Sequence, residues 1–458
     1  MVRELKAGIG VAIITPPAGI EMGAWVLRRG LAQGVHDDML ARALVLDDGS
    51  TATAIVSLDV AGISDELTDT VRDLVAAQVP VQRSHILLNC SHTHTTPHTG
   101  SRFSAGISGL TAGHQAYLEA FPHYVAGAII EAWHAREPAA IGAGSTDLPG
   151  ITVNRRDPSL PVDPQLGVIR VDGADGRPLA CLVNYACHGT AVGAHELAWT
   201  ADFPGYLARA VEEAEPGCAC LFLQGAEGDM HPWDWYFGNP NPRFGDHYEG
   251  AERLGKAIAG AACGLLQEID TKTDVELSML SETIALPARP ITWTADAAEA
   301  YLARLEAETP AYEQDVIPDG CPGCMSAQTF PDLYRLFGAR HEATFARNHP
   351  AEIHAEINVL RVGDIVLATN PGELFVELGL DIKQRSRYGH TFVLNLTNGT
   401  VMYLPTREAA EAVLHLPLEE FTDPVKYRNH YGATITTEAG PAAGEMLVDA
   451  TLRLIERV

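Results

Sequence analysis

The strongest constraint on the fold of this chain is a weak internal repeat of about fifty residues, each copy reading strand, strand, polar loop, helix, strand, polar loop. In the first copy, Ala43 to Leu46 and Ala52 to Leu58 flank Asp47-Asp48-Gly49-Ser50, a hairpin signal. A helix is expected near Ser64 to Ala77, and the strand His85 to Asn89 then runs into Cys90-Ser91-His92-Thr93-His94. In the second copy, strands Gly167 to Val171 and Leu179 to Tyr185 surround Asp172-Gly173, and a polar loop opens at His188-Gly189-Thr190. A helix near Pro204 to Glu215 leads to the strand Cys220 to Leu223, which ends in Gly225-Ala226-Glu227-Gly228-Asp229-Met230-His231-Pro232. The third copy has Ile357 to Val362 and Asp364 to Thr369 around Gly363. There Asn370-Pro371-Gly372-Glu373 opens a helix reaching Arg385, and the strand Thr391 to Leu396 leads through Asn398 to Tyr403. This alternation predicts an α/β fold of mixed β-sheets flanked by helices.

Ligand-type side chains fall just past the carboxyl ends of strands in all three copies, where α/β sheets place their binding crevices. Six such loops can converge on one site, and they share histidine, glutamate and tyrosine rather than generic serine and lysine. Further helices are expected from Tyr117 to Arg136, from Thr294 (a plausible N-cap) to Glu308, from Phe330 to Asn348 and from Glu445 to Arg457. These are expected to cover the sheets.

The composition, 46% hydrophobic and 20% charged, is that of a globular chain of 458 residues. With 32 basic and 59 acidic residues the net charge is −27, which argues against nucleic acid or an anionic surface as main partner. No stretch approaches ~18 uninterrupted apolar residues, so neither a membrane span nor a stable membrane anchor is expected. The segment Met1 to Gly10 lacks the features of a secretion signal, and a cytoplasmic location is the expectation. The eight cysteines should then be mostly reduced. Cys321-Pro322-Gly323-Cys324 is a lone CxxC, read as a turn with two thiols ahead of a redox or metal clip.

His92-Thr93-His94 is an HxH pair; if it continues a strand, both rings face the same way and can reach one metal, although an exposed polar loop fits equally well. His188 ends an apolar run, as a structural core histidine also would. Glu373 is expected in the first turn of a helix, where the dipole favours a carboxylate whether or not it binds a metal. With Tyr403 these residues make an open zinc set, leaving room for water. His231 is placed in the same crevice as an acid, base or oxyanion donor. Trp233-Asp234-Trp235-Tyr236-Phe237 reads as a substrate wall, or as a loop pinned to the core.

Taken in order, His92-Thr93-His94, His188-Gly189-Thr190, Gly228-Asp229-x-x-Pro232, Pro371-Gly372-Glu373 and Asn398 with Tyr403 resemble the catalytic domain of the neutral/alkaline (non-lysosomal) ceramidases. Gly8-Ile9-Gly10 through Thr15-Pro16, Gly34-Val35-His36-Asp37 and Asn154-Arg155 fit the same pattern, collinear from residue 7 to about 435. The resemblance implies a neutral-ceramidase-like fold and a Zn2+ ion held by His92, His188, Glu373 and Tyr403. It also implies active-site roles for His94, Arg155 and Tyr431 and cleavage of an N-acyl amide by zinc-activated water; with His231 and Asp229 of the Gly228 to Pro232 segment these are the candidate catalytic residues. In the family the position of His231 is a catalytic serine, and an immunoglobulin-like domain follows; here residues 1–458 are expected to be a single catalytic domain without it.

The expected activity is a zinc-dependent hydrolase acting on an amide, ester or lactone of a small or amphiphilic substrate. The alternative is a metal-dependent lyase or glycosidase-type enzyme on a sugar or uronic acid. The expected partner is a small-molecule, sugar-like or lipid-like substrate, with self-association into a homo-oligomer left open.

Overall fold

Two aspartates and a glycine make the first hairpin. Asp47 accepts the amide of Gly49, whose φ of +83° few other residues adopt, while Asp48 accepts the amides of Ser50 and Thr51. A computed structural model of the chain describes residues 4–25, 28, 30–100, 110–232, 247–291, 293–308, 330–413 and 436–458.

The hairpin joins β2 (Leu40–Asp47) to β3 (Ala52–Leu58), and β1 (Lys6–Ile13) pairs antiparallel with the outer edge of β2. Helix α1 (Asp65–Ala76) starts where the Ser64 hydroxyl accepts the Leu67 amide, with Asp65 and Glu66 in its first turn. It carries the chain back so that β4 (Ile86–Cys90) lies parallel to β3, as a crossover helix allows. Helix α2 (Ala112–His134) then covers β1 and β2.

The same plan recurs twice. The second unit runs β5 (Ala140–Asp147), β6 (Gln165–Asp172), β7 (Pro178–Tyr185), α3 (Asp202–Ala214), β8 (Ala219–Gln224) and α4 (His247–Leu266). The third runs β9 (Leu277–Pro287), an inserted pair α5 (Ala295–Glu308) and α6 (Phe330–Asn348), β10 (Glu352–Val362), β11 (Ile365–Thr369), α7 (Val376–Arg385), β12 (His390–Leu394) and α8 (Ala443–Ile455). Apart from a two-residue fifth strand, Glu137–Pro138, beside β1, the sheet orders β4-β3-β2-β1, β8-β7-β6-β5 and β12-β11-β10-β9 correspond strand for strand. The repeat is thus one strand longer than its sequence pattern, and the α/β expectation of mixed sheets flanked by helices holds.

The sheets meet face to face. Leu44, Leu46 and Leu87 from the first share a buried cluster with Leu182, Leu221 and Leu223 from the second and Leu360, Leu367 and Phe392 from the third. Each outer face is closed by its own helices: α1 and α2 over the first sheet, α3 and α4 over the second, α7 and α8 over the third. The last strand of each unit ends in an amide side chain, and these interlock. Asn89 Oδ1 accepts the Gln224 amide, the Asn395 amide donates to the Gln224 carbonyl, and Asn89 Nδ2 donates to the Asn395 carbonyl. Buried polar groups are tolerable only when paired in this way, and the pairing fixes where the six polar loops converge. Among the described residues no helix is long and apolar enough to cross a membrane.

Candidate metal centre

Past the end of β4 the chain does not continue as a strand. His92 has a left-handed φ of +63°, so strand alternation is not what aims the HxH pair. The loop instead lies against the one after β7: Thr93 bridges to Gly189, and the His94 amide donates to the Gly189 carbonyl. A Cβ on Gly189 would stand 2.5 Å from the His92 carbonyl oxygen, which is why glycine follows His188. Glu373 also departs from expectation. It sits in a two-residue strand, Glu373–Leu374, paired parallel with Tyr403–Leu404, and α7 begins only at Val376. The ladder, rather than a helix dipole, sets carboxylate and phenol side by side.

Four of these loops deliver their donors to one point. Glu373 Oε2 is 3.3 Å from Nε2 of His92 and 3.3 Å from Nε2 of His188, and the Tyr403 hydroxyl is 3.4 Å from His188 Nε2. Donors at the corners of a tetrahedron with bonds of ~2.0–2.1 Å stand ~3.3–3.4 Å apart. The opposite ring nitrogens are already engaged: His92 Nδ1 with the Ala61 carbonyl at 2.7 Å, and His188 Nδ1 with the Glu227 carbonyl at 2.8 Å. A carbonyl can only accept, so the proton resides on Nδ1 and each Nε2 offers a lone pair. Neither oxygen of the fully buried Glu373 carboxylate accepts a hydrogen bond. A buried anion facing two lone pairs is tenable only with a cation among them. The donor set therefore fits a divalent metal.

His94 Nε2 lies 3.2 Å from His92 Nε2, and its ring packs edge-on against Trp25. Burial, then His92 and His188, lower its pKa well below the ordinary imidazole value. His231 stacks beside His188 with ring centroids 4.6 Å apart, and its Nε2 accepts from Arg155 Nη1 at 2.7 Å. The second Arg155 nitrogen donates to the Gly228 carbonyl at 2.5 Å.

Residues 5–232 match the family described as neutral/alkaline non-lysosomal ceramidase, N-terminal. The chain belongs to this family. Neutral ceramidases A and B of Dictyostelium discoideum are 25% and 24% identical over 256 and 255 residues. Each match takes in 50% of this chain, but it spans only 36% and 35% of the relatives' own length. A solved neutral ceramidase from Pseudomonas aeruginosa superposes with a TM-score of 0.72 at 19% identity, over 99% of this chain and 75% of that one. A ceramidase complexed with C2 superposes equally well, at 0.72 and 18%, over 99% of this chain and 76% of that one. At such identities the likeness speaks for the fold, and the sequence-derived family and fold both hold.

Within the ceramidase fold, other residues named from the sequence separate by position. Asp229 accepts the Asn154 side-chain amide at 2.9 Å and the Val376 amide at 2.8 Å, and pairs with Arg156 at 3.3 Å. It joins the β8 loop to the start of α7. Tyr431, the aromatic run Trp233 to Phe237, and the Cys321 and Cys324 pair lie outside the described residues.

Glu227 was not singled out from the sequence, because between glycines it reads as turn. It is fully buried, Asn395 Nδ2 donates to its Oε2 at 2.7 Å, and it groups with His92 and Glu373. Burial and then the Glu373 charge raise its pKa well above the ordinary carboxylate value. Gly228 next to it is equally constrained, since a Cβ there would stand 2.5 Å from the Glu373 carbonyl oxygen. Gly228→Ala is expected to cost ~1–3 kcal/mol through forced backbone shift and to weaken metal retention. A thermal melt beside metal analysis checks this; an unchanged pair of values would mean the two loops are not held in register by their contact.

Proposed function

We propose that this protein is a zinc-dependent hydrolase of amide bonds, with the ion held by His92, His188, Glu373 and Tyr403. The observation that carries the reading is the buried Glu373 carboxylate set 3.3 Å from two imidazole nitrogens whose other nitrogens are fixed as donors. Zinc in an open site of this kind supplies Lewis acidity, lowering the pKa of water toward ~7 and polarising a carbonyl.

The chain's own residues divide the remaining work. His94 is less deeply buried than the ligands and is kept neutral, as a general base must be before it takes a proton. Arg155 donates to Nε2 of His231, which leaves the imidazole proton on Nδ1. His231 then acts as a hydrogen-bond donor for developing negative charge, in the place where the family resemblance puts a serine. Asp229 is a positioning residue that ties the His231 loop to α7.

The relatives are named as ceramidases, so N-acylated amino alcohols are the first substrate class to try. The purified chain is to be incubated with N-acyl amides, esters, lactones and uronic sugars, with products read by amine release and mass. Release of an amine and a carboxylic acid is expected from the amides. An unsaturated, ultraviolet-absorbing product from the uronic sugars, with no amine from any amide, would overturn amide hydrolysis in favour of elimination.

A further inference from the structure

We propose a second metal site, formed by His195, Glu196 and His247. It stands apart from the centre above and does not rest on the amidase reading. His195 and Glu196 lie in the loop between β7 and α3, and His247 is the first residue of α4. His195 Nε2 is 2.9 Å from His247 Nδ1 and 3.4 Å from Glu196 Oε1, and His247 Nδ1 is 3.5 Å from the same oxygen. A histidine–histidine hydrogen bond explains the shortest of these contacts. It does not explain why one carboxylate oxygen lies at near-equal distance from both nitrogens. That triangle has the dimensions of one face of a tetrahedral coordination shell, whose edges are ~3.3 Å.

The backbone and the surroundings favour the same conclusion. His247 takes a left-handed φ of +56°, a conformation costing ~1 kcal/mol or more for a side-chain-bearing residue, and it presents its ring to the neighbouring loop. The three side chains are 28%, 28% and 35% exposed, so an ion can enter without opening the fold. The chain's charge of −27 draws cations toward it. Two imidazole nitrogens and one carboxylate oxygen select Zn2+ or Co2+ over Ca2+ or Mg2+. Three protein donors leave positions open, so this ion should exchange more readily than the first.

An ion here would also pin the loop that leads from His188 to α3. Arg28 couples that loop to the metal centre, donating from its Nε to the Ala194 carbonyl and from Nη1 to the His94 carbonyl. Occupancy of the second site is therefore expected to steady the segment that holds His94 as well as the loop itself.

The test is titration of the metal-free full chain with Co2+, following visible absorption, with bound metal counted by elemental analysis. The wild type should take up two equivalents, the second removed by a weak chelator. His195→Ala, His247→Ala should take up one, and so should the milder Glu196→Gln at the same Co2+ concentration. His92→Ala, His188→Ala should keep the exchangeable equivalent and lose the tight one. A single equivalent in the wild type, unchanged in Glu196→Gln and in the His195, His247 variant, overturns the second site. Two equivalents retained by the His92, His188 variant would instead overturn the primary centre and leave the second site to be judged by its own variants.

Discussion

Replacing His92 and His188 together by alanine is expected to remove the tightly held metal and to lower turnover by at least ~10³-fold, the rate equivalent of ~4 kcal/mol of transition-state stabilisation. Both rings point Nε2 at the same Glu373 oxygen, and among the described residues neither has a substitute at that distance whose second nitrogen is fixed by a carbonyl. The double variant also leaves Glu373 as a buried carboxylate without imidazoles or ion, a defect worth ~3–5 kcal/mol by analogy with broken buried pairs. Stability should therefore fall with activity, and the two losses must be separated. Glu373→Gln does this. It removes the buried charge together with an anionic ligand, so metal content and turnover should collapse while the melting temperature falls much less. Elemental analysis and a thermal melt on the wild type and both variants give the answer. Undiminished zinc in the double variant would overturn the ligand assignment, whatever its activity.

How much of this was legible in the sequence depends on what kind of force shaped each segment. The paired strands around Asp47-Asp48-Gly49-Ser50, Asp172-Gly173 and Gly363 were readable because a hairpin is a local object, set by turn chemistry and hydrophobic alternation. The outer strands β1 and β5 were harder. Their glycines serve close backbone contacts rather than periodicity: a Cβ on Gly8 or Gly10 would run into the α2 backbone, and one on Gly142 into the carbonyl of Asp270, just past α4. The convergence of histidine, glutamate and tyrosine was readable as a list, from their places past strand ends and from the family resemblance, but not as geometry. His92 and His94 come together through a left-handed residue, and Glu373 through a two-residue ladder with Tyr403. Both depend on contacts between segments far apart in the chain. Glu227 carried no local signal at all, since it is burial in the folded chain and then the approach of Glu373 that make its carboxyl unusual.

His231→Ala should separate chemistry from metal binding. Arg155 is 2% exposed, and its guanidinium is shared between His231 Nε2 and the Gly228 carbonyl, with the Tyr403 ring 5.2 Å beneath it. Removing the imidazole takes one acceptor from a buried cation, a loss of ~1.5–3 kcal/mol of stability for a charged hydrogen bond. Loss of a preorganised donor to developing negative charge costs ~10²–10³-fold in kcat, so kcat should fall by that factor with zinc content and KM little changed. His231→Asn divides the two roles further. Its amide oxygen can accept from Arg155 and recover stability, but its NH2 group does not occupy the position of the imidazole Nδ1. Stability restored with turnover still depressed is the expected pattern, because on this proposal it is the proton on Nδ1, and not the bulk of the ring, that serves the reaction. If His231→Asn instead matched the wild type in turnover, His231 would be reduced to a partner that holds Arg155 in place. The donor to the developing charge would then have to be Arg155 itself, and Arg155→Met, which keeps the stem and deletes the cation, would show the full loss.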